Sequence, residues 1–329
     1  MFTREKRDFM IRHVSVFQIG CNSMQSPWGD IQVSDAHIHF FAQNFFASLA
    51  TAKKATLPEL EPILGWQLPP ESPDALAGTW VGELNQAGVH RAALIASVPG
   101  DEQSVASAVA SNPGRFYGYF MVNPLLPFAE TQMAEALKTG HLHGICLFPA
   151  MHRYSLQDPR ALALYEIAAA HPGTVVFVHC GVLTIGARKK LGLPSHFDMR
   201  YSNPIDLHAV AIDFPQINFI LPHFGAGYLR EALMLCDLCP NVYLDTSSSN
   251  SWMKYEGLDL KTVFRRALDV CGAGRLLFGT DSSFFPRGWN AAVWDAQVAA
   301  LKELGIKEEQ ARQIFGGNLD RLLARPWPG

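Results

Sequence analysis

Eight short, apolar, β-rich runs recur along the chain, and helical patterns separate them. The runs are IQVSDAHIH, HRAALIASV, RFYGYFMVN, HLHGICLFP, TVVFVHCG, INFILPHFG, NVYLDTSS and RLLFGTDSS. The stretches between them place apolar residues at the i, i+4, i+7 spacing of a buried helix face, as at Leu229, Leu233 and Cys236. Nearly continuous apolar strands are typical of a parallel sheet that is covered on both faces. Eight such units favour an α/β fold of the (β/α)8 TIM-barrel type over an open sheet, which usually has about five to seven strands.

The length of the chain fits such a barrel with insertions. At 329 residues and 48% hydrophobic content, the chain can form one large core. We expect a single barrel domain over residues 31–329, preceded by an N-terminal extension over residues 1–30. That extension mixes acidic with basic side chains around a short apolar run, so it is a poor secretory signal. The closing run IFGGNLDRLL predicts a helix packed on the outside of the barrel.

Two segments depart from the strand–helix repeat. Residues 41–80 follow the first strand and contain prolines at 58, 62, 69, 70 and 73, which predicts an irregular excursion. Residues 182–203 follow the fifth strand and contain the basic run Arg188, Lys189 and Lys190. Loops that follow the strands of such a barrel lie on its catalytic, C-terminal face. Both segments are therefore predicted to be loop insertions that act as lids over that face.

Charge and composition indicate a small molecule as the partner. A formal net charge of −3 gives no reason to expect nucleic acid or an anionic membrane. No apolar stretch approaches the roughly 20 residues that a membrane helix needs. The six cysteines are scattered, and those at 146, 180, 236 and 271 fall in apolar patterns, which is typical of reduced thiols. We therefore expect a cytoplasmic protein that acts on a small-molecule substrate.

Polar side chains of metal-binding types stand where several predicted strands end. They are Asp35, His37 and His39 on the first strand, His179 on the fifth, His223 on the sixth and Asp281 on the eighth. Side chains two apart on a strand face the same way, so His37 and His39 reach the barrel mouth together. Three histidines and one carboxylate around Zn²⁺ leave room for a water molecule, as in catalytic zinc sites. The pattern predicts a catalytic metal site at this mouth.

A set of motifs around these residues resembles a known family. DAHIHF, FVHCG, NFILPHFGAG, NVYLDTS, LLFGTDSSF and GNLDRLL, between about residues 33 and 323, are similar in order and context to the amidohydrolase superfamily. The resemblance is to its amidohydrolase-related branch, which also contains aminocarboxymuconate semialdehyde decarboxylase. It implies a metal-dependent barrel in which His37, His39, His179 and Asp281 match the metal ligands. His223 then matches the catalytic histidine of the sixth strand.

The fourth strand departs from the pattern of the superfamily's binuclear members. Those relatives carry a lysine that becomes carboxylated and bridges two ions, whereas GICLFPA here places Cys146 where the lysine is expected. Since a cysteine cannot form a carbamate, we expect one divalent ion, zinc in the first instance, with manganese or iron as alternatives. Cys146 itself is either a small buried apolar residue or a soft additional ligand.

We expect Asp281, His223 and Asp35 to have different roles. Asp281 is expected to hold the metal and to take a proton from the activated water. His223 is expected to orient the water, stabilise an oxyanion or shuttle a proton. Asp35 is expected to support the site without being a ligand.

Substrate contacts are predicted from charge and aromatic character near the mouth. Arg153 follows the fourth strand and Arg287 follows the eighth, so both are candidates to bind a carboxylate. Trp252, together with Trp66 and Trp289, lies in or near loops of the mouth and is a candidate floor for a planar substrate. The basic run Arg188, Lys189 and Lys190 is either a contact for an anionic substrate or a solvated loop.

Three functions remain open. Metal-assisted hydrolysis of an ester, lactone or amide comes first, because the ligand set generates hydroxide. Non-oxidative decarboxylation of an unsaturated or aromatic acid comes second, because the same groups can protonate a carbon. A catalytically inactive binding protein comes third, and it would be favoured only if a ligand were missing. Similar proteins are often dimers, which is the only basis for expecting a homodimer.

Overall fold

Eight parallel strands form the central sheet, and they pair in the order in which they occur along the chain. The computed structural model describes residues 22–247 and 250–324. A short antiparallel hairpin, β1 (Met24–Ser26) and β2 (Gly29–Ile31), precedes the sheet. The sheet strands are β3 (Ser34–Phe40), β4 (Arg91–Ala96), β5 (Phe116–Met121), β6 (Gly144–Leu147), β7 (Val175–Val178), β8 (Asn218–Leu221), β9 (Val242–Asp245) and β10 (Leu276–Leu277). All eight predicted runs are strands, and the TIM-barrel prediction is confirmed.

Helices cover the outside of this sheet and both of its ends. They are α1 (Gln43–Lys53), α2 (Leu57–Leu64), α3 (Pro73–Ala87), α4 (Glu102–Ser111), α5 (Ala129–Lys138), α6 (Pro149–His152), α7 (Pro159–Ala170), α8 (Gly186–Lys190), α9 (His208–Asp213), α10 (Leu229–Leu238), α11 (Leu260–Cys271), α12 (Ala291–Glu303), α13 (Glu308–Arg312) and α14 (Asn318–Leu323). Short 3-10 turns include Pro222–Gly225 and Asn250–Tyr255, and a π-helical turn, Gln313–Gly317, joins α13 to α14. Within the described ranges, none of the helices has the length and apolar character needed to cross a membrane.

The barrel closes between β3 and the segment that follows β10. The amide of Ala36 donates to the carbonyl of Phe278 at 2.7 Å, and the amide of His39 donates to the carbonyl of Ser282 at 2.8 Å. In the opposite direction, the amide of Asp281 donates to the carbonyl of His37 at 3.0 Å. The first strand and the last are therefore neighbours, although they are far apart in sequence.

The segment 41–80 is helical, so the prediction of an irregular excursion was wrong. It contains α1, α2 and the first half of α3. Thr56 and Glu59 form a capping box at the start of α2, with Pro58 in the first turn, and Pro73 is the first residue of α3. Proline is favoured at these positions because its missing N–H has no partner there in any helix. Two of the five prolines thus start helices.

The two predicted lids pack against each other. We call α1, α2 and residues 65–68, together with α8 and residues 191–193, the roof. Phe46, Leu60 and Trp66 from the first insertion share a buried apolar cluster with Ala187 and Leu191 from the second. Two lysines join the insertions, since Lys53 Nζ donates to the carbonyl of Leu191 at 2.7 Å and Lys190 Nζ donates to the carbonyl of Leu64. The roof is therefore one packed unit.

The closing segment is helical as predicted, but it covers the N-terminal end of the barrel. Leu319 and Leu323 pack with Ala36, Tyr117 and Leu277 in the interior cluster. The buried side chain of Asn318 donates to the carbonyl of Ala273 at 2.7 Å and to that of Leu276 at 2.9 Å. These contacts attach α14 to the start of β10. Most of the predicted N-terminal extension, residues 1–21, lies outside the described residues.

We predict that Asn318→Ala lowers the free energy of unfolding by about 2 kcal/mol or more, because two buried carbonyl groups lose their donor. Urea unfolding followed by circular dichroism measures the change. Arg321→Ala is the matched control, since Arg321 lies on the same helix and contacts Gly274 but is exposed. Equal losses for the two variants would contradict this account of how α14 is attached.

Candidate metal centre

Three potential ligand atoms converge at the C-terminal mouth of the barrel. His37 Nε2 and His39 Nε2 are 3.4 Å apart, and Asp281 Oδ1 lies 3.6 Å from the first and 3.3 Å from the second. With metal–ligand distances of about 2.0–2.1 Å, the ligands of a tetrahedral zinc are roughly 3.3–3.4 Å apart. The observed spacing fits one tetrahedral ion. It follows from the barrel closure, which places Asp281 beside β3.

Each of these two imidazoles is held in one tautomer by a partner on its other nitrogen. His37 Nδ1 lies 2.7 Å from Asp245 Oδ2, and a carboxylate only accepts, so Nδ1 carries the hydrogen. His39 Nδ1 lies 2.7 Å from Ser97 Oγ, which uses its own hydrogen to bond the carbonyl of Ile95 at 3.1 Å. Both assignments follow from the hydrogen-bond network. They leave the Nε2 lone pair of each ring free for a metal.

Burial and neighbouring charges set the protonation of these groups. Burial lowers the pKa of His39, and it lowers the pKa of His179 well below the usual value. Burial alone would raise the pKa of Asp281, but the adjacent imidazoles of His39 and His37 lower this pKa well below its usual value. Burial would lower the pKa of His37 too, yet the nearby carboxylate of Asp245 raises it overall. Neutral His39 and His179 and ionised Asp281 are the forms that bind a divalent ion.

His179 and His223 lie beside the three converging atoms. Among the described residues, the group whose ligand atoms all lie within 4.8 Å of one another is His37, His39 and Asp281. The ring of His179 is 5.2 Å from that of His223 and stacks on Phe148 at 5.3 Å. Both histidines line the same cavity as His39 and Asp281. The structure therefore brings His179 and His223 to the same cavity as His39 and Asp281, but His179 is not a member of the converging group found among the described residues.

The backbone is strained at two of these residues. His223 and Asp281 both have a φ of 56°, in the left-handed region that residues other than glycine rarely adopt. Such strain costs about 1–3 kcal/mol per residue and is concentrated at functional sites. Both residues lie in the segments that follow a barrel strand, His223 after β8 and Asp281 after β10.

Asp35 supports the site through hydrogen bonds to the backbone on both sides of the barrel closure. Its buried carboxylate accepts from the amides of His37 and Thr280, at 2.9 and 3.1 Å, and from Trp289 Nε1 at 2.8 Å. It therefore ties β3 to the segment that carries Asp281, in the supporting role that was predicted. Through this contact Trp289 packs beside Asp35, and it is not among the residues that line the cavity at the barrel mouth.

Cys146 packs in the barrel interior. It is fully buried in the same apolar cluster as Tyr119 and Phe177, and burial raises the pKa of its thiol well above the usual value. Its sulfur does not belong to the converging group of ligand atoms found among the described residues. The geometry favours the apolar interpretation of Cys146 over that of a soft ligand.

A cavity of about 660 Å³ lies between the candidate metal ligands and the roof. Three cationic side chains line it: Lys189, Lys254 and Arg287. Its aromatic lining is Phe41, Phe45, Trp66, Phe148, Trp252, Tyr255 and Phe284. Trp252 thus lies where it was predicted, and its indole Nε1 has no hydrogen-bond partner.

Arg287 is held in place above the site. Its Nη2 donates to the carbonyl of Asp281 and to Ser283 Oγ, both at 3.0 Å, and its guanidinium lies 4.5 Å from the ring centre of Phe284. Arg153, by contrast, is exposed, contacts the carbonyl of His196 at 3.4 Å and does not line the cavity. Of the two predicted arginines, the structure brings only Arg287 to the cavity.

Of the three basic residues in the second insertion, only one lines the cavity. Arg188 donates to the carbonyl of Pro194, and Lys190 is used within the roof. Lys189 alone reaches the cavity wall.

Sequence reasoning missed three residues of the site: Ser97, Asp245 and Ser247. Asp245 and Ser247 end the seventh predicted run, NVYLDTSS, in the same position as the histidines that end other runs. The pattern that identified His179 and Asp281, a polar side chain where an apolar strand ends, was therefore present at Asp245 and Ser247 too. Ser97, which follows ALIA, carries no such signal, because a serine after a strand is common.

Comparison with known proteins is consistent with this geometry. The family model described as Amidohydrolase matches residues 34–325. The chain belongs to the amidohydrolase family. Among curated proteins, residues of this chain are 34% identical over 85 positions to Protein fluG of Emericella nidulans, a match that covers 26% of this chain and 10% of that protein. The matched stretch is thus about a tenth of the curated relative's length.

Several solved structures share the fold of this amidohydrolase. An uncharacterised TIM-barrel protein from Bordetella bronchiseptica has a TM-score of 0.61 at 21% identity, covering 89% of this chain and 98% of that one. A protein described as a probable 2-pyrone-4,6-dicarboxylic acid hydrolase from Acinetobacter baumannii, with citric acid bound, has a TM-score of 0.59 at 14% identity, covering 89% and 99%. An amidohydrolase from Burkholderia multivorans with bound zinc has a TM-score of 0.56 at 16% identity, covering 90% and 100%.

We predict that the purified amidohydrolase carries close to one divalent ion per chain, because the fourth strand offers no lysine to bridge a second. Inductively coupled plasma mass spectrometry measures the content. His37→Ala and His179→Ala should each empty the site, since removing a ligand lowers affinity steeply. His196→Ala, which changes an exposed histidine outside the cavity, should retain the ion. Two fully occupied ions per chain would overturn the mononuclear interpretation.

Proposed function

We propose that this amidohydrolase is a metal-dependent hydrolase of esters, lactones or amides. One divalent ion, preferably zinc with manganese or iron as alternatives, would be held by His37, His39, His179 and Asp281. The observation that carries the proposal is the 3.3–3.6 Å spacing of three ligand atoms, which suits one tetrahedral ion. The two Nε2 lone pairs that face it support the same conclusion. Membership of the amidohydrolase family and a zinc-bound neighbour add to it.

The chemistry divides between the ion and the side chains around it. When bound, a divalent ion supplies Lewis acidity and lowers the pKa of a coordinated water to about 7. Asp281 has a second carboxylate oxygen that accepts the proton of the attacking water. His223 lines the cavity, and its Nδ1 is engaged by Ser247, so its Nε2 is the nitrogen available to the substrate. The Nε2 lone pair can accept a proton and pass it on to the group that leaves.

The cavity favours a planar, negatively charged substrate. Lys189, Lys254 and Arg287 line it, whereas Asp281 is its single carboxylate among the described residues. Aromatic rings form much of the remaining wall, and Trp66 stacks on Phe284 with ring centres 4.2 Å apart. Flat apolar walls with cations at one side suit an unsaturated or aromatic ring that carries a carboxylate.

Decarboxylation of an aromatic or unsaturated acid is the second candidate. The observation that favours it is Arg287, which is fixed on the carbonyl of the proposed ligand Asp281 and could hold a carboxylate close to the ion. The similarity of the sequence motifs to the branch with aminocarboxymuconate semialdehyde decarboxylase supports it as well. An inactive binding protein is disfavoured, because the predicted ligand set is complete.

Isotope labelling separates the two candidates. If water attacks a carbonyl, oxygen from labelled water should enter the product when carboxylated lactones, esters and amides are supplied, and no carbon dioxide should form. Mass spectrometry of the products measures both. Equimolar carbon dioxide from an aromatic or dienoic acid, with deuterium from heavy water on the carbon that lost it, would refute hydrolysis in favour of decarboxylation.

Arg287→Met should raise the KM for a carboxylated substrate by roughly 10-fold or more, because a charge-assisted hydrogen bond contributes about 1.5–3 kcal/mol. Steady-state kinetics on the substrate found by that screen measures the effect. Arg153→Met is the matched control, since Arg153 lies outside the cavity, and its KM should stay unchanged. An equal rise in both variants would show that general charge, and not a contact in the cavity, attracts the substrate.

A further inference from the structure

Three buried polar residues lie at the end of β9, one as its last residue and two directly after it. Asp245, Thr246 and Ser247 are all fully buried, with 0% exposure. A buried polar group is costly unless it is hydrogen-bonded, so each of them needs a partner. Their hydrogen-bond partners show which side chains the end of β9 holds in place.

The hydroxyl of Ser247 lies at the centre of a network between two histidines. Ser247 Oγ is 3.0 Å from His37 Nδ1, 2.9 Å from His223 Nδ1 and 2.9 Å from Asp245 Oδ2. His37 Nδ1 is itself 2.7 Å from the same carboxylate oxygen. One serine and one aspartate therefore contact the inner nitrogens of both a proposed metal ligand and the proposed acid–base histidine.

The hydrogens of this network can be assigned. His223 Nδ1 also lies 3.2 Å from the backbone carbonyl of Ser247, which only accepts, so this nitrogen carries the hydrogen. Ser247 Oγ then accepts from His223 and gives its single hydrogen to Asp245 Oδ2. The hydrogen on His37 Nδ1 points to the same carboxylate oxygen. Both rings consequently present an Nε2 lone pair on their outer side.

The network is rigidly supported. The amide of Ser247 donates to Asp245 Oδ1 at 2.7 Å, which folds the end of the strand back on itself. Thr246 Oγ1 and its carbonyl are held by the buried side chain of Gln297 at 2.7 and 2.8 Å. A Cβ on Gly279 would lie 2.5 Å from Asp245 Oδ1 and 3.0 Å from Ser247 Cβ, so glycine is needed there for the two to fit.

We propose that Asp245 and Ser247 are positioning residues that fix a single tautomer on His37 and on His223 at once. The proposal deepens the function given above and rests on it only for the role of His223 in turnover. The two imidazoles share the carboxylate of Asp245. His37 contacts it directly, and His223 contacts it through the hydroxyl of Ser247. A change in either positioning residue should therefore alter the tautomer populations of both histidines. His39 has a serine partner of its own, since its Nδ1 lies 2.7 Å from Ser97 Oγ.

The test uses ¹⁵N-histidine NMR on the full-length, metal-free protein, so it requires neither a substrate nor a bound ion. In the wild type, at a pH high enough for both rings to be neutral, His37 and His223 should each show a protonated Nδ1 and an unprotonated Nε2, with signals assigned from His37→Gln and His223→Gln spectra. Either ring found as the Nε2–H tautomer would overturn the proposal. This result comes from the unmodified protein and does not depend on whether any variant folds.

Two matched serine variants then separate positioning from general damage. Ser247→Ala removes the 2.9 Å hydroxyl partner and leaves only the 3.2 Å contact with the backbone carbonyl, so the Nε2–H tautomer of His223 should appear beside the Nδ1–H form. Ser97→Ala should leave His223 unchanged. Both should weaken zinc binding, measured by chelator competition, by roughly 10–100-fold, the usual effect of removing the partner of a ligand imidazole. If Ser247→Ala leaves the tautomer of His223 unchanged, the serine does not link the two rings, and the proposal fails.

Asp245→Asn tests the carboxylate that the rings share. An amide that donates to His37 Nδ1 would favour the Nε2–H form, which has no lone pair for a metal. We expect that tautomer to appear for His37, with zinc affinity lowered by about 10–100-fold. An unchanged tautomer and affinity would overturn the role of Asp245. If the isotope-labelling experiment fails but these tautomers are found, the proposed reaction is wrong and the positioning role stands.

Discussion

The backbone hydrogen bonds that close the barrel determine the site. They join β3 to the segment after β10, through the amides of Ala36, His39 and Asp281. Because the amide of Asp281 donates to the carbonyl of His37, the carboxylate and the two histidines of β3 are brought within 3.3–3.6 Å of one another. Asp35 reinforces the same seam by accepting from both sides of it. Without this closure the proposed ligands would lie on the two edges of an open sheet.

Around this seam, each histidine of β3 is hydrogen-bonded to a buried polar side chain from another strand end. Each histidine of β3 has one nitrogen directed outwards and one that bonds to a neighbouring strand end, His37 to Asp245 and His39 to Ser97. Since the inner partners fix the tautomer, the outer nitrogens of both rings carry lone pairs, as the proposed metal site requires. The strained backbone at His223 and Asp281 is consistent with this, because such conformations persist only where the surroundings determine them.

Much of this could be predicted from the sequence, for physical reasons that differ between elements. The eight strands are short apolar runs buried on both faces, and such runs are distinct from amphipathic helices. The residues His37, His39, His179, His223 and Asp281 could be found because polar side chains at strand ends interrupt those runs. The insertion over residues 41–80 was misjudged because proline starts helices as well as ending them. Arg153 could not be separated from Arg287, since which side of a loop faces a cavity depends on packing between distant segments.

The central claim is that barrel closure builds one mononuclear metal centre at the mouth. Crystals of the zinc-loaded protein, with diffraction data collected on both sides of the zinc absorption edge, test it most directly. The account predicts one anomalous peak per chain, about 2.0–2.2 Å from His37 Nε2, His39 Nε2 and an oxygen of Asp281, with His179 completing the ligand set. A peak elsewhere on the chain, or two peaks at the barrel mouth, would contradict it.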